Sequence, residues 1–383
     1  MRNVKPNDVI EAAKLLTEKQ DHPELHSGQI FQLQCMVNKE NSISQLPTGY
    51  GKTYAGISLP DILLMLRNKF GYKDISERPR VLIIVPLVAI MTSLEEQLIK
   101  LDITYQFLKA GTTNILNDKV KVVAISPEKL TATDTMEMIT SLEWEAIILD
   151  EPHLAVQWGI GNKKKGKVAK PFREAFTKIK KLNQTGAVFQ LQTATAVNLN
   201  QIFSLLGKKD SAWRKNIILP ERENLTYYLF SGKSAPLSIM QFGCIGEFLN
   251  LDDVNPGALL IYVQRVDDGS EIHSDISQFC KENNIPTGKR FAFLHANLEE
   301  KSKEEIMRSV SEGVTKVLIA TSALGNGVNL PIRQTILWGL DSEPSGIIQA
   351  AGRTARYPFE GEGSVIMVRI KGVYVRGGTK RLI

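Results

Sequence analysis

Apolar residues first recur at helical spacing in Asn7-Asp8-Val9-Ile10-Glu11-Ala12-Ala13-Lys14-Leu15-Leu16, with Asn7 placed to cap the start. A second helical stretch follows Leu25-His26-Ser27-Gly28-Gln29 and runs through Met36. After Ile43-Ser44-Gln45-Leu46, which can form a short strand, the rhythm changes to strand-like apolar runs: Val81–Val85, Val120–Ile125, Ala146–Leu149 and Ala187–Leu191. Helical patterns lie between them, including Tyr54 to Arg67, which Pro60 is expected to interrupt. Continuous apolar strands alternating with helices predict a parallel sheet covered on both faces. Residues 208–225 are polar and turn-rich, through Lys208-Lys209-Asp210 and Pro220-Glu221-Arg222-Glu223-Asn224, and predict a linker. A second series follows in Ala258–Val263, Phe291–Leu294, Lys316–Ala320, Thr335–Trp338 and Ser364–Val368. The expected fold class is α/β: two tandem domains, 1–215 and 216–383, each a mainly parallel sheet flanked by helices.

Bulk properties narrow this little. The chain has 383 residues, enough for two or three domains at about 150 residues each. It is 43% hydrophobic and 23% charged, ordinary for a soluble globular protein. A net charge of +6 is compatible with a polyanionic partner without pointing to one. Cys35, Cys244 and Cys280 lie far apart without CxxC spacing, so neither a structural zinc nor a disulfide framework is expected. The longest apolar run, Val81 to Met91, contains Pro86 and falls short of the ~20 residues that span a bilayer. No membrane partner and an intracellular location are expected, the nucleus in a eukaryote and otherwise the cytoplasm or nucleoid.

Chemistry concentrates in three places. Leu46-Pro47-Thr48-Gly49-Tyr50-Gly51-Lys52-Thr53 reads as a phosphate-binding loop. Thr48, Gly49 and Gly51, with Tyr50 between the glycines, let successive N–H groups face an anion. Lys52 supplies charge for the β/γ-phosphates and Thr53 a hydroxyl for Mg²⁺, while a helix N-terminus behind the loop adds partial positive charge. Asp150-Glu151-Pro152-His153 ends an apolar strand, where α/β ligands bind. One carboxylate there suits Mg²⁺, and its neighbour suits accepting a proton from an attacking water. In Gln349-Ala350-Ala351-Gly352-Arg353-Thr354-Ala355-Arg356, a helix would put Gln349, Arg353 and Arg356 on one face. That is either a solvated basic face or a pair of arginines for a transferring phosphoryl group.

Together these motifs resemble superfamily-2 helicases, and within them the RecQ-like DNA helicases, over roughly residues 25–370. The resemblance implies two RecA-like domains with ATP in the cleft between them, Mg²⁺ as cofactor and Gln29 on the adenine edge. Ser126, in Ile125-Ser126-Pro127-Glu128-Lys129-Leu130, falls in a backbone-contacting motif. Asp150-Glu151-Pro152-His153 is similar to the DExH box, which implies a coupling role for His153. Gln157-Trp158-Gly159 resembles the start of the aromatic-rich loop, which a lysine-rich insertion (Gly161 to Lys167) separates from Phe172-Arg173. Trp158 is then a stacking, loop-coupling or packing residue, and Arg173 a nucleic-acid contact. The cluster of Lys163, Lys164, Lys165, Lys167 and Lys170 fits phosphate contacts or a solvated loop equally. Thr193 and Thr195, in Thr193-Ala194-Thr195-Ala196, match the motif linking hydrolysis to strand separation, and Thr321 and Asn329 fall in a DNA-contacting motif. Leu294-His295-Ala296 matches another family motif in position.

The expected function is an ATP-dependent DNA helicase or translocase, 3′-to-5′ by resemblance, in repair or recombination. It would be a monomer acting on single-stranded or duplex DNA, without the family's zinc-binding and winged-helix region. An RNA helicase, a translocase that does not unwind, and an ATP-gated nucleic-acid switch are the alternatives.

Overall fold

The protein was analysed as a computed structural model. It describes residues 2–370 except 48, 86–87, 109–115, 153–162, 165–166, 169–173, 195–198, 219–221, 223, 233–243, 251–256, 322–323, 325–329, 340–346, 348–349 and 356–360. The chain divides into two compact units, Met1–Pro220 and Glu221–Ile383.

The first unit opens with α1 (Pro6–Lys19) and α2 (Ser27–Val37), then β1 (Ser42–Gln45) and α3 (Lys52–Lys69). There follow β2 (Val81–Ile84), α4 (Val88–Lys100), β3 (Tyr105–Leu108), β4 (Val122–Ile125), α5 (Thr133–Ser141) and β5 (Ala146–Asp150). A small antiparallel hairpin, β6 (Lys163–Lys164) and β7 (Lys167–Val168), precedes a 3₁₀ segment over Glu174–Thr185. The unit closes with β8 (Val188–Thr193), α6 (Leu199–Leu206) and β9 (Arg214–Ile217). Its seven strands run β3-β4-β2-β5-β8-β1-β9, every pairing parallel. Successive side chains point to opposite faces. Ile83, Ile148 and Val122 therefore pack with α1 to α4, while Leu82, Ile147 and Val123 pack on the other side with α5 and α6.

Two expectations change here. α3 runs unbroken through Pro60. The ring removes one ladder bond, but α3 is buried on nearly every side from Tyr54 to Leu66, and that packing holds the helix. The stretch expected to be a linker is largely folded. β9 pairs with β1 in register Ser42↔Arg214 through Gln45↔Ile217, and Trp213 stacks on Phe203 at 4.9 Å between ring centroids. The first sheet thus extends beyond residue 215, and the expected domain junction falls inside β9.

The second unit holds β10 (Leu225–Gly232), α7 (Cys244–Asn250), β11 (Ala258–Tyr262), α8 (Val266–Glu282), β12 (Phe291–Leu294), α9 (Glu300–Ser311), β13 (Val317–Ala320), β14 (Ile332–Trp338) and β15 (Gly363–Ile370). Its six strands run β10-β15-β14-β11-β13-β12, again all parallel. Leu259, Ile261, Val317 and Ile319 pack on one face, and Leu260, Leu318 and Ala320 on the other. Cys35 and Cys280 are buried free thiols. Burial pushes the Cys35 thiol up to about 11. Among the described residues, no helix is long and apolar enough to cross a membrane.

Candidate functional site

The candidate site of the first unit sits at the carboxyl ends of three adjacent strands, β5, β8 and β1. β1 leads into the phosphate loop. Leu46, fully buried, anchors the loop's entry, and its N–H donates to the Thr193 carbonyl at 2.9 Å. Gly49 and Gly51 take φ of +83° and +73°, a region costly for other L-residues, and α3 begins immediately afterwards at Lys52. Lys52 and Thr53 therefore occupy the first turn of an 18-residue helix, where backbone N–H groups and the helix dipole favour an anion.

α2 braces the loop from behind. Gln29 is 3% exposed and its amide works in two directions. Nε2 donates to the Gly51 carbonyl at 2.9 Å, and the amide oxygen accepts the His26 N–H at 2.9 Å. Gln29 thus ties the helix start to the phosphate loop. Gly28 allows the contact: a Cβ there would lie 2.6 Å from Leu46 Cδ2. The Gly28 N–H meets the Tyr50 hydroxyl at 3.3 Å.

β5 delivers the carboxylates. Asp150 is its last residue, and Glu151 takes φ +46°, a left-handed conformation that costs an L-residue about 1 kcal/mol. β8 holds it there. The Glu151 N–H donates to the Gln192 carbonyl at 2.9 Å, and the Thr193 hydroxyl donates to Glu151 Oε2 at 2.8 Å. Gln192 Nε2 reaches Asp150 Oδ1 at 3.2 Å. β8 therefore joins both halves of the site: Thr193 receives the loop's entry on its carbonyl and orients Glu151 with its hydroxyl. Gln192, fully buried, was not recognised in the sequence, although two glutamines at alternate positions of an apolar strand were a signal. Its amide oxygen has no hydrogen-bond partner among the described residues and suits an ordered water beside Asp150. A carboxylate, a hydroxyl and a helix N-terminus around one strand-end crevice are a donor set that fits Mg²⁺ and a polyphosphate.

The other expected residues are spread more widely. The Ser126 carbonyl and hydroxyl accept the Lys129 N–H at 3.1 and 3.4 Å and turn the chain after β4. In the second unit, Thr321 follows β13, is 5% exposed, and its N–H donates to the Leu294 carbonyl at 3.2 Å. The His295 ring packs on Phe293 at 4.6 Å. Thr48, His153, Trp158, Arg173, Thr195, Asn329, Gln349 and Arg356 lie outside the described residues.

The arginine segment departs from expectation. Helical geometry ends before Arg353. The Arg353 and Thr354 N–H groups close turns onto the Ala350 and Ala351 carbonyls, Thr354 bridges to Ile332, and Ala355 takes φ +47°. Bonding to β14 thus redirects the chain after Ala351, so Arg353 stands on a turn; Gln349 and Arg356 lie outside the described residues. Burial pulls the Arg353 guanidinium below the ordinary arginine range, with Tyr262 opposing the shift.

Comparison with known proteins agrees with this architecture. Residues 28–201 match the DEAD/DEAH box helicase family, and residues 241–358 match the helicase conserved C-terminal domain. The probable ATP-dependent DNA helicase RecS of Bacillus subtilis is 24% identical over 362 residues, covering 90% of this chain and 64% of that protein. The ATP-dependent DNA helicase RecQ of the same organism is 20% identical over 362 residues, covering 90% of this chain and 54% of that one. The chain thus spans about half to two thirds of these relatives' length. Among solved structures, S. cerevisiae Dbp5 bound to RNA and ADP BeF3 superposes with a TM-score of 0.65 at 15% identity, covering 95% of this chain and 87% of that one. The two units thus carry, in order, a DEAD/DEAH box helicase domain and a helicase conserved C-terminal domain, in a sequence similar over most of its length to the RecS and RecQ DNA helicases.

Proposed function

We propose that the chain is an ATP-driven motor on DNA that moves 3′-to-5′ along one strand, unwinds duplexes and serves repair or recombination. The observation that carries this reading is the strand-end arrangement in which β8 ties the phosphate loop to the Asp150–Glu151 pair. A resident phosphate loop with oriented carboxylates suits turnover better than a passive clamp. In this reading Lys52 and the first turn of α3 bind the ATP phosphates, and Glu151 orients the attacking water and accepts its proton. Thr53 and Asp150 would hold Mg²⁺, which when bound supplies charge neutralisation at the phosphates. Arg353 and Arg356 are the arginines that would stabilise charge on the transferring γ-phosphate.

The curated relatives' names support DNA as the track, while the RNA bound to Dbp5 supports the RNA reading. ATPase assays with single-stranded DNA, duplex DNA and RNA in parallel distinguish them, and DNA stimulation well above RNA is expected. Forked DNA with a 3′ or a 5′ tail then tests polarity and unwinding. Stimulation by RNA alone overturns the DNA reading. Tight ATP binding without turnover on any nucleic acid overturns the motor.

A further inference from the structure

The segment just before β10 was expected to be linker, yet two of its side chains close on the arginine segment. Arg222 Nη1 donates to the Thr354 carbonyl at 2.8 Å and to the Gly352 carbonyl at 3.4 Å. Its Nη2 donates to the Ala355 carbonyl. Asn224 Nδ2 donates to Ala355 O at 3.0 Å and to Gly361 O at 2.9 Å. The carbonyls that Arg222 grips belong to the residues on either side of Arg353. A planar guanidinium fork spans such carbonyls in one orientation only.

The clamp is itself fixed by the sheet. Asn224 accepts the Gly363 N–H on its carbonyl at 2.9 Å, and from Leu225 onward β10 pairs with β15 in register Leu225↔Gly363. The opposite side of the turn has separate anchors. The Ala355 N–H donates to the Ile332 carbonyl at 2.7 Å, and the Thr354 hydroxyl to the Thr335 hydroxyl at 2.6 Å. Losing Arg222 would therefore leave the turn attached to β14 and, through Ala355, to Asn224, while removing the guanidinium from the Gly352 and Thr354 carbonyls.

We propose that Arg222, assisted by Asn224, is a positioning residue for ATP turnover: it clamps the turn that carries Arg353 and so sets where that guanidinium stands. The inference rests on the reading of Arg353 as an arginine that acts on ATP. Residues held by one flexible attachment instead of two lose alignment, and a misplacement of about 1 Å costs about 10²-fold in rate.

The test is steady-state ATPase of the full chain with saturating single-stranded DNA, for wild type, R222A, R222K, N224A, R353A and the R222A/R353A double variant. R222A is expected to lower kcat about 10- to 100-fold with KM for ATP within about two-fold. R222K, which keeps the charge but not the planar fork, should recover part of the loss, and N224A should lose only a few-fold. The double variant should be no slower than R353A alone, because the clamp works only through Arg353. Losses that multiply in the double variant, wild-type kcat in R222A, or a loss in R222A that tracks a lower folded fraction each overturn the clamp. Should R222A fail to fold, N224A against N224A/R353A makes the same comparison. A wild-type chain without turnover on any nucleic acid, or an R353A variant at wild-type rate, overturns the reading of the site instead.

Discussion

The two units hold their reactive groups by different means. In the first, Asp150 ends β5, Glu151 follows it, and Lys52 opens the helix after the loop that leaves β1, both strands lying inside a seven-stranded sheet. Strand register places them, and β8 locks them through Gln192 and Thr193. In the second, Arg353 sits in a turn that no strand feeds directly, tied on one side to Ile332 at the start of β14 and held on the other by side chains preceding an edge strand. The first arrangement is built into the fold. The second depends on a few replaceable hydrogen bonds, so it is the half in which small changes adjust a rate without endangering the sheet.

The sharpest way to break this contrast is at the first unit's core chemistry. Lys52→Ala and Glu151→Gln are each expected to reduce nucleic-acid-stimulated ATPase by at least about 100-fold, and normal turnover in either would sink the site assignment. Arg353→Ala comes next. It is expected to lower kcat about 10³-fold while ATP binding, followed by nucleotide fluorescence, stays near wild type. Equal losses of binding and rate would put Arg353 in ground-state recognition instead.

Gln192→Leu probes the lock at finer scale, since Leu preserves bulk but removes the amide beside Asp150. About a tenfold rise in the Mg²⁺ needed for half-maximal ATPase is expected, matched by weaker Mn²⁺ binding with a non-hydrolysable nucleotide. An unchanged metal requirement would mean that register alone orients Asp150. Gly28→Ala is the smallest change. The added Cβ meets Leu46 Cδ2 at 2.6 Å, and a drop of about 2–4 °C in Tm is expected on thermal denaturation.

What the sequence revealed follows the same division. Central strands such as Val81–Ile84 and Val317–Ala320 are buried on both faces, so their apolar runs stand out. β9, Arg214-Lys215-Asn216-Ile217, is a largely exposed edge strand whose polar side chains resemble a linker. β10 is another edge, with Tyr227, Tyr228 and Leu229 exposed; its residues are mostly apolar, but it begins inside the polar stretch read as linker and was missed with it. Lys52, Asp150 and Glu151 were legible because their chemistry demands those side chains. Gln192 and Arg222 were not, because they act on neighbours that only the folded chain brings within reach.

The position of β1 also affects how the chain is made. Both neighbours of Ser42–Gln45 are late segments, Gln190–Thr193 and Arg214–Ile217. At ribosomal speeds of about 5–20 residues per second, β1 waits roughly ten to thirty seconds after its own synthesis before both partners exist. Until then the nascent phosphate loop has no strand ladder behind it. On the proposed reading, nucleotide binding becomes available only once Arg214–Ile217 has been made, and ATP would stabilise this half of the protein only after the first sheet has closed.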